Sequence, residues 1–367
     1  MDLKASCQHD LSFPFHGRES ASVRLAQIQA YVEQQGLDAE YLSSGQATDE
    51  LENKAATMMG KEAAMWCPTG TMAQGIAARI HAQRCGRNDV LLHPTSHLLI
   101  HEENGYREAH GLTASVVGDW EQAMNASLLS AAGCAFVELP QRHNGGLLPS
   151  WQQLQALKDE ARELELPLHM DGARLWSCRP YYDNRSYAEI ADGFDSVYLS
   201  LYKDIGAIGG ALLVGSDDFI AEARRWRTRL GGLLVEPWPM IFDALRLLDQ
   251  RLTRMPLLVS NAQTLAQALQ HVADLKVIPN PPQVNMFHIQ IPVAPDVAQT
   301  ARDRVAEQTS IWLGKRFWSF EDRSSCSLEV VVGENLLQIP RADLVAAFEV
   351  LSQELAALRL ENTDNRQ

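Results

Sequence analysis

The chain has 367 residues, of which 46% are hydrophobic and 21% are charged. This composition is ordinary for a globular protein, and the length suits a large domain with a smaller second one. The formal net charge of −14 argues against nucleic-acid binding, because phosphate backbones attract basic surfaces.

No uninterrupted apolar run reaches membrane-spanning length, and the opening MDLKASCQHD lacks an apolar signal core. Six cysteines occur without a CxxC pair, and several lie within apolar runs, which indicates reduced and mostly buried thiols. We therefore expect a cytoplasmic protein with no membrane partner, no nucleic-acid partner and no metal site.

Hydrophobic periodicity predicts the elements of an α/β fold in chain order. Residues 1–20 have a mixed composition and predict an N-terminal arm. Helices are predicted at 21–35, 46–60, 70–84, 150–163 and 216–230. Short apolar strands are predicted at 89–93, 114–117, 134–139, 167–171, 195–202 and 211–215. Strands that alternate with helices predict a mostly parallel sheet that is covered on both faces. The last two strands are too close together for a helical crossover, so they predict an antiparallel pair.

A break predicted at Met255–Pro256 divides the chain into a large domain at 21–255 and a small C-terminal domain at 256–367. In the small domain, helices are predicted at 257–271, 297–308 and 341–358, and strands at 284–291 and 327–332. This pattern indicates an α+β fold. In α/β sheets, ligands bind at the carboxyl ends of strands, so residues at those ends are the functional candidates.

Lys203 ends the apolar run SVYLSLY and precedes the glycine-rich DIGAIGG, whereas the other six lysines lie in polar or helical contexts. A lysine at the end of a buried strand is desolvated and tends to lose its proton. The neutral amine is the form that attacks a carbonyl carbon to make an imine. Taken alone, Lys203 is better explained as a strand-end lysine that extends to water.

Asp171 ends the apolar strand PLHMD and is followed by Gly-Ala-Arg. A buried carboxylate there needs a cationic or hydrogen-donating partner. The protonated pyridine nitrogen of pyridoxal phosphate is one such partner, and a local pair with Arg174 is the alternative. An ion pair with the ring nitrogen would keep it protonated, so that the ring could absorb electrons from a carbanion.

The segment Pro68–Thr71 stands directly before a predicted helix. Glycine allows a close approach of the backbone, and the N–H groups of a first helical turn attract a phosphate. Ser200 could add a hydroxyl to the same phosphate. An ordinary helix cap and an ordinary strand serine are the alternatives.

Two histidines are candidates for work on a cofactor and its substrate. His97 could stack on a pyridine ring, because an imidazole packs well against such a face. His143 lies in a polar loop after the strand CAFVEL and could act as a general base near neutral pH. A histidine of the surface or the core is the alternative in both cases.

Five segments together resemble the threonine aldolase family, which belongs to the β-eliminating lyase group of fold-type-I pyridoxal-phosphate enzymes. The segments are GKEAAMWCPTGT (60–71), His97 with Glu102, ELPQRHNGG (138–146), LHMDGAR (168–174) and SLYKDIGAIGGALLVG (200–215). The resemblance implies a fold-type-I, transferase-like architecture. Such an architecture has a mostly parallel seven-stranded sheet in a large domain and a smaller C-terminal α+β domain.

The resemblance also implies which residues bind pyridoxal phosphate. Lys203 falls on the Schiff-base lysine, and Asp171 falls on the partner of the pyridine nitrogen. His97 falls on the ring-stacking histidine. Gly70 and Thr71 fall on the phosphate-binding turn.

For the substrate, the resemblance implies two residues. Arg174, which also belongs to the predicted cofactor site, falls on an arginine that contacts the substrate carboxylate. His143 lies near a histidine proposed to move the proton of the substrate hydroxyl. Both are expected to contact an amino-acid substrate.

Three departures from the family concern the substrate. The family's Ser-Asp-Thr turn is replaced by HGRES at 16–20, and its Tyr-Gly-Asp-Asp-like stretch is replaced by YLSSGQ at 41–46. Where a second arginine usually holds the α-carboxylate, this chain has Leu-Glu-Val at 328–330. Arg323 or Arg316 could substitute for that arginine.

The implied function is a lyase that cleaves the Cα–Cβ bond of a β-hydroxy-α-amino acid, such as L-threonine or L-allo-threonine, to glycine and an aldehyde. The departures keep open a pyridoxal-phosphate β-eliminating lyase or another amino-acid lyase. A binding protein that retains the fold without catalysis is a third hypothesis. Enzymes of this type are dimers or tetramers, so a homodimer or homotetramer is expected.

Overall fold

The computed structural model describes residues 3–12, 15–17, 19–319 and 324–364. The chain divides into two compact units. The larger unit comprises Glu19–His143 and Leu147–Arg254. The smaller unit comprises the described residues of Met1–Arg18, Asn144–Gly146 and Met255–Gln367.

Strands and helices alternate through most of the chain. The strands are β1 His9–Asp10, β2 Ala63–Cys67, β3 Asp89–Leu92, β4 Thr113–Val116, β5 Cys134–Glu138, β6 Leu168–Gly172, β7 Ser196–Ser200, β8 Ala211–Gly215, β9 Lys276–Ile278, β10 Met286–Ile291, β11 Ile311–Trp312, β12 Phe317–Ser319 and β13 Cys326–Val331. The α-helices are α1 Leu3–Ser6, α2 Ala21–Gln35, α3 Gln46–Met59, α4 Gly70–Arg84, α5 His97–Ile100, α6 Gly105–Glu108, α7 Trp151–Glu163, α8 Tyr187–Ala191, α9 Asp217–Arg229, α10 Trp238–Leu269, α11 Pro295–Thr309, α12 Glu334–Leu337 and α13 Arg341–Asp364. Short 3₁₀ turns lie at Ala126–Leu128, Arg142–Asn144, Leu175–Ser177 and Arg179–Tyr182.

A seven-stranded sheet forms the centre of the larger unit, in the order β2-β8-β7-β6-β5-β3-β4. Strands β3 to β7 run parallel to one another, and β8 is antiparallel to both β7 and β2. The predicted mostly parallel sheet and its antiparallel pair are therefore confirmed. Strand β2 is absent from the predicted elements, because its two alanines and its methionine lack the β-branched side chains typical of strands.

The central strands of this sheet are buried on both faces. Every residue of β6, β7 and β8 is buried, as expected where helices cover both sides of a sheet. Helices α4 and α9 pack against each other and against β8, and their contact buries Ile76, Ile80 and Phe219. Polar groups that bind a ligand must therefore project from the ends of these strands.

The smaller unit contains a four-stranded antiparallel sheet in the order β12-β13-β10-β9. Helices α11 and α13 pack against each other, and Val305 and Phe348 are buried in this unit. Near the N-terminus, β1 pairs in parallel with β11. An antiparallel sheet with its own helices agrees with the predicted α+β character.

Helix α10 runs through the predicted break at Met255–Pro256, with Pro256 in its interior. The helix predicted at 257–271 is therefore the second half of a longer helix, and the predicted domain boundary at 255/256 stays a prediction. Proline removes one backbone hydrogen bond from a helix, and the buried neighbours Met255, Leu258 and Val259 hold this part of the helix in its hydrophobic core. No helix among residues 3–364 that the structure describes, α10 included, is long and apolar enough to cross a bilayer.

Two buried histidines share one serine hydroxyl in the interior of the larger unit. His81 Nε2 and His169 Nδ1 each lie 2.7 Å from the Oγ of Ser196. Burial, followed by the Arg84 guanidinium, lowers the pKa of His81 to about 3. Burial, followed by His81, lowers the pKa of His169 well below its ordinary value. Both rings therefore remain neutral in the folded protein at mildly acidic pH.

Replacing His81 by glutamine is expected to weaken the acid sensitivity of the fold. An unfolded histidine takes up a proton near pH 6.5, whereas His81 in the folded protein does so only near pH 3. Between these values the unfolded state binds more protons, so His81 lowers the free energy of unfolding by about 1.4 kcal/mol for each unit of falling pH. Urea unfolding at pH 6.5, 5.5 and 4.5 measures this slope, which should be shallower in His81→Gln. His271→Gln, which replaces an exposed histidine, is the control. An unchanged slope in His81→Gln would contradict the lowered pKa of His81 in the folded protein.

Candidate active site

Three neighbouring parallel strands end in polar side chains at one edge of the large sheet. Strand β5 ends at Glu138, which stands opposite Asp171 of β6. Strand β7 ends at Ser200, and Lys203 follows shortly after it. Because the carboxyl ends of parallel strands meet at the same edge, the fold brings these four side chains into one region.

The Asp171 carboxylate is buried and held by two hydrogen bonds. Its Oδ2 accepts from the side-chain amide of Gln74 on α4 at 2.8 Å, and its Oδ1 accepts from the backbone N–H of Ala173 at 3.1 Å. The Oε1 of Gln74 is buried and has no hydrogen-bond partner among the described residues. This arrangement fixes the orientation of the carboxylate at the strand end.

The loop that carries Lys203 joins the antiparallel neighbours β7 and β8. The backbone N–H of Leu201 donates to the carbonyl of Gly210 at 3.2 Å, and that of Ala207 donates to the carbonyl of Leu201 at 2.9 Å. The Lys203 Nζ lies 5.9 Å from the centre of the Tyr202 ring. Backbone hydrogen bonds therefore close the loop on either side of the lysine.

The Lys203 amine is surrounded by protein although the whole side chain is only half-buried. Burial lowers its pKa to about 8, and the Arg174 guanidinium lowers it too, against the opposing effect of the Asp171 carboxylate. An amine with this pKa is partly neutral near pH 8, which is the form that attacks a carbonyl carbon.

Glu138 is a second buried carboxyl group beside Asp171. Burial, followed by the Asp171 carboxylate, raises the pKa of Glu138 well above its ordinary value. The backbone N–H of Arg142 donates to its Oε1 at 3.1 Å, whereas its Oε2 is buried without a partner among the described residues. A protonated Glu138 avoids placing two like charges side by side at this edge.

Helix α4 begins at the same edge with Gly70. The Thr69 hydroxyl accepts from the backbone N–H of Met72 at 3.2 Å and caps the helix. A Cβ at Gly70 would overlap the phenol ring of Tyr198 on β7, so glycine allows the helix start to contact the sheet. The N–H groups of Gly70 and Thr71 belong to the first turn, where no intrahelical acceptor is available. This helix start is therefore suited to bind a phosphate.

His97 opens helix α5 after β3. Its Nδ1 lies 2.8 Å from the Oε1 of Glu102, whose side chain is buried. The His97 side chain keeps 27% of its surface accessible. The ring is therefore fixed by the carboxylate without being enclosed, which leaves it able to stack on a bound ligand.

His143 lies in the 3₁₀ turn after β5 and is buried. Its Nε2 lies 2.8 Å from the Nε2 of His101, and the two ring centres lie 5.0 Å apart with ring planes that differ by 27°. The ring of Trp120 lies 5.8 Å from His143, and the ring of His97 lies 4.9 Å from His101. We call these four side chains (His97, His101, Trp120 and His143) the histidine cluster.

Ser200 is completely buried at the end of β7. Its backbone carbonyl accepts a hydrogen bond from the indole N–H of Trp176 at 3.0 Å. Its hydroxyl can therefore reach only a ligand that enters the protein interior at the strand end. A contact between Ser200 and a phosphate stays a prediction.

The predicted substrate arginines differ in their surroundings. Arg174 is buried after β6 and close enough to Lys203 to lower the pKa of its amine. Arg316 is exposed, and its guanidinium lies 5.8 Å from the centre of the Trp318 ring. Arg323 lies outside the described residues. The roles suggested for Arg316 and Arg323 stay predictions.

Three residues of this region are absent from the sequence-based candidates, namely Gln74, Glu138 and His101. Gln74 lies one helical turn beyond Gly70, on the same helix face. Glu138 ends an apolar strand, which is the signal that identified the aspartate of β6. His101 follows His97 at a spacing of four residues. Each of these features is visible in the sequence. It identifies a residue of the site only when the neighbours of that residue in the folded protein are known.

The chemistry of these groups fits pyridoxal phosphate. A fixed, buried carboxylate suits a protonated pyridine nitrogen, a partly neutral amine suits an aldehyde, and the N–H groups of Gly70 and Thr71 in a first helical turn suit a phosphate. The accessible imidazole of His97 suits the flat ring. Among residues 3–364 that the structure describes, no group of three or more histidine, cysteine, aspartate or glutamate side chains is arranged to hold a metal ion.

Comparison with known proteins gives related sequences over most of the chain. A model of the family described as β-eliminating lyase matches residues 19–292. A probable low-specificity L-threonine aldolase of Arabidopsis thaliana is 29% identical over 298 residues, which are 76% of this chain and 80% of that protein. The low specificity L-threonine aldolase of Escherichia coli K12 is 29% identical over 238 residues, which are 60% of this chain and 68% of that protein.

Solved structures with the same fold cover nearly the whole chain. A putative L-allo-threonine aldolase from Listeria monocytogenes has a TM-score of 0.87 and 33% identity, and the match covers 96% of this chain and 98% of that chain. A putative aromatic amino acid β-eliminating lyase/threonine aldolase from Exiguobacterium has a TM-score of 0.88 and 31% identity over the same shares. These likenesses confirm both the predicted fold class and the resemblance noted in the sequence.

Gly70→Ala is expected to lower the free energy of unfolding by about 1–3 kcal/mol, because the added methyl group overlaps the Tyr198 ring and overpacks the core. Urea unfolding measures the change. Gly105→Ala is the matched control, since Gly105 also begins a helix and nothing lies within 4 Å of its added Cβ. Equal effects of the two substitutions would contradict the tight contact at Gly70.

Proposed function

The chain belongs to the β-eliminating lyase family, and from this premise we propose that it cleaves the Cα–Cβ bond of β-hydroxy-α-amino acids with pyridoxal phosphate as its cofactor. The proposal is carried by the positions of the Lys203 amine and the Asp171 carboxylate at the ends of adjacent parallel strands. L-Threonine and L-allo-threonine are the proposed substrates, because the similar proteins bear aldolase names for these amino acids.

Five residues are proposed to hold the cofactor. Pyridoxal phosphate supplies a protonated ring that accepts the electrons of the breaking bond. The Lys203 amine would hold the aldehyde carbon of the cofactor. The Asp171 carboxylate, oriented by Gln74, keeps the proton on the ring nitrogen. The backbone N–H groups of Gly70 and Thr71 bind the phosphate.

Three further residues are proposed to act on the substrate or on the cofactor ring. Arg174 would bind the substrate carboxylate and fix the orientation of the Cα–Cβ bond. His97 would stack on the cofactor ring. His143 takes the proton of the β-hydroxyl, so that the oxygen can form the carbonyl of the aldehyde product.

A β-elimination is the second candidate reaction, and the departures from the family sequence at 16–20, 41–46 and 328–330 are the reason to keep it.

Lys203→Ala is expected to abolish the visible absorption of covalently bound pyridoxal phosphate and to lower lyase activity by at least about 1,000-fold, because the amine both attaches the cofactor and releases the product. Absorption spectra and a glycine assay with L-threonine measure the two effects. Lys276→Ala, which removes an exposed lysine, is the matched control.

A substrate panel separates the two candidate reactions. Acetaldehyde and glycine formed from L-threonine support Cα–Cβ cleavage, whereas pyruvate and ammonia formed from L-serine support β-elimination. A wild-type protein that binds the cofactor without turning over any amino acid would contradict both reactions and favour a binding protein.

We also propose that the protein is a homodimer or homotetramer, and exposed apolar side chains support this. Helix α2 buries only Ile28, whereas Val23 is 47% exposed and Leu25 is 61% exposed. Elsewhere in the larger unit, Leu42 and Val235 are both exposed and are joined by a backbone hydrogen bond. Exposed large apolar side chains are typical of interaction surfaces when they lie together.

Leu25→Glu is expected to shift the protein toward the monomer, because a charge within an apolar interface loses its hydration without gaining a partner. Light scattering coupled to size-exclusion chromatography measures the mass. Leu360→Glu is the matched control, since Leu360 is an exposed leucine on a different helix, α13. A monomeric wild-type protein would contradict this proposal.

We propose a cytoplasmic location on the basis of the cysteines. All six are free thiols, and Cys67, Cys134, Cys178 and Cys326 are buried. Unpaired thiols are typical of a reducing compartment.

A further inference from the structure

The carboxyl group of Glu138 has one oxygen with a partner and one without. Its Oε1 accepts a hydrogen bond from the backbone N–H of Arg142 at 3.1 Å. Its Oε2 is buried and has no hydrogen-bond partner among the described residues. Such an oxygen is costly in a folded protein, because burial removes the water that would otherwise solvate it. A ligand that forms a hydrogen bond with Oε2 removes that cost.

Glu138 and Asp171 occupy matching positions on neighbouring parallel strands. The two residues are paired in the register of β5 and β6, at the carboxyl ends of both strands. Neighbouring strands lie about 4.8 Å apart, and paired residues point to the same side of a sheet. The Asp171 carboxylate is close enough to raise the pKa of Glu138. A ring that binds Asp171 therefore lies beside Glu138 as well.

Glu138 is the member of this pair that holds a proton. Burial is the largest cause of its raised pKa and the Asp171 carboxylate adds to it, whereas the nearby donor and cations oppose the shift without cancelling it. Asp171 instead accepts two hydrogen bonds, from Gln74 and from a backbone N–H. Because Oε1 of Glu138 already accepts a hydrogen bond, its own hydrogen stands on Oε2. Glu138 thus offers a donor where Asp171 offers a charge.

The order of the strands determines which edge of the cofactor faces Glu138. The helix start at Gly70, which is proposed to bind the phosphate, adjoins Tyr198 of β7. Strand β6 with Asp171 lies between β7 and β5. In pyridoxal phosphate, the phosphate arm and the 3-oxygen stand on opposite sides of the axis from the ring nitrogen to the aldehyde carbon. With the phosphate toward β7, the edge that carries the 3-oxygen faces β5.

We propose that Glu138 is a further cofactor-binding residue, which donates the hydrogen on its Oε2 to the 3-oxygen of pyridoxal phosphate. This inference rests on the proposed function, because it concerns the cofactor of that proposal. The contact gives the buried Oε2 the partner that it lacks. It also holds the ring at a point away from Asp171, so that the ring resists rotation about its attachment to Lys203.

An ionised Glu138 would have the opposite effect on the cofactor. The 3-oxygen is negatively charged when its hydroxyl group has lost a proton, and a second carboxylate beside it would repel it. A protonated carboxyl group forms a charge-assisted hydrogen bond with the same oxygen. A side-chain amide is also a neutral donor and can take this place, whereas an apolar side chain cannot.

The binding of two cofactors to Glu138→Leu tests the contact. The second cofactor is 3-deoxypyridoxal 5′-phosphate, which lacks the 3-oxygen but keeps the aldehyde, the ring nitrogen and the phosphate. Glu138→Leu is expected to raise Kd for pyridoxal phosphate by about 10–100-fold, because a hydrogen bond to a charged acceptor is lost. Its Kd for the deoxy compound is expected not to rise. Absorption titrations of the full chain, freed of cofactor, measure both constants.

Glu138→Gln is the matched control, because it keeps a neutral donor of similar size. Its Kd for pyridoxal phosphate is expected to stay within about threefold of the wild type. Two results for Glu138→Leu would overturn the proposal. The first is an unchanged Kd for pyridoxal phosphate. The second is an equal rise of Kd for both cofactors, which would report a change in the shape of the site.

Infrared spectroscopy tests the proton on Glu138 and remains decisive if Glu138→Leu does not fold. A protonated carboxyl group has a C=O stretching band that a carboxylate lacks. The difference spectrum between the wild-type holoenzyme and Glu138→Gln at pH 7 is expected to contain this band. The band is expected to shift when the deoxy compound replaces pyridoxal phosphate, since the acceptor is then absent. Carboxylate bands alone, or a band that does not shift, would refute the donor role.

The failure of this inference can be told apart from the failure of the proposed function. A wild-type protein that does not bind pyridoxal phosphate would end both. A wild-type protein that binds pyridoxal phosphate and cleaves L-threonine, but loses affinity for both cofactors equally in Glu138→Leu, would end the inference alone. Cofactor discrimination and lyase activity are therefore two separate results.

Discussion

The burial of the Asp171 carboxylate at the end of β6 is the constraint on which the rest of the site depends. A buried carboxylate is costly unless donors surround it, and here Gln74 and a backbone N–H supply them. Gln74 reaches it only because helix α4 begins next to the sheet. That start in turn requires glycine at position 70, since the Tyr198 ring occupies the space of a side chain. Residues distant in sequence are thus coupled through one charge.

The pKa values of Glu138 and Lys203, whose side chains lie near this carboxylate, shift in opposite directions. Burial raises the pKa of Glu138 and lowers that of Lys203, so each is biased toward its neutral form. A site built in this way holds few uncompensated charges before a ligand arrives. It can then receive a cofactor that brings its own charges, namely the phosphate and the protonated ring nitrogen, to groups already oriented for them.

The sequence predicts those parts of the protein whose physical causes are local. Strands β3, β5, β6 and β7 are apolar runs, and Lys203 and Asp171 stand out because they end such runs. Strand β2 has no comparable signal, since its pairing with β8 is a tertiary contact. Helix α10 continues through Pro256 because packing outweighs the loss of one hydrogen bond. Gln74 and His101 lie on helices, where their relation to the site depends on how those helices pack.

Strand β8 returns alongside β7, so the lysine loop is short and hydrogen-bonded on both sides of the amine. The backbone of such a loop has a fixed conformation. Side-chain substitutions within it therefore change the contacts of the Lys203 amine and leave the position of the Lys203 backbone unchanged. His101, by contrast, caps a single helical turn on a separate segment of the chain. A substitution on that segment can therefore be made without altering the backbone of the lysine loop.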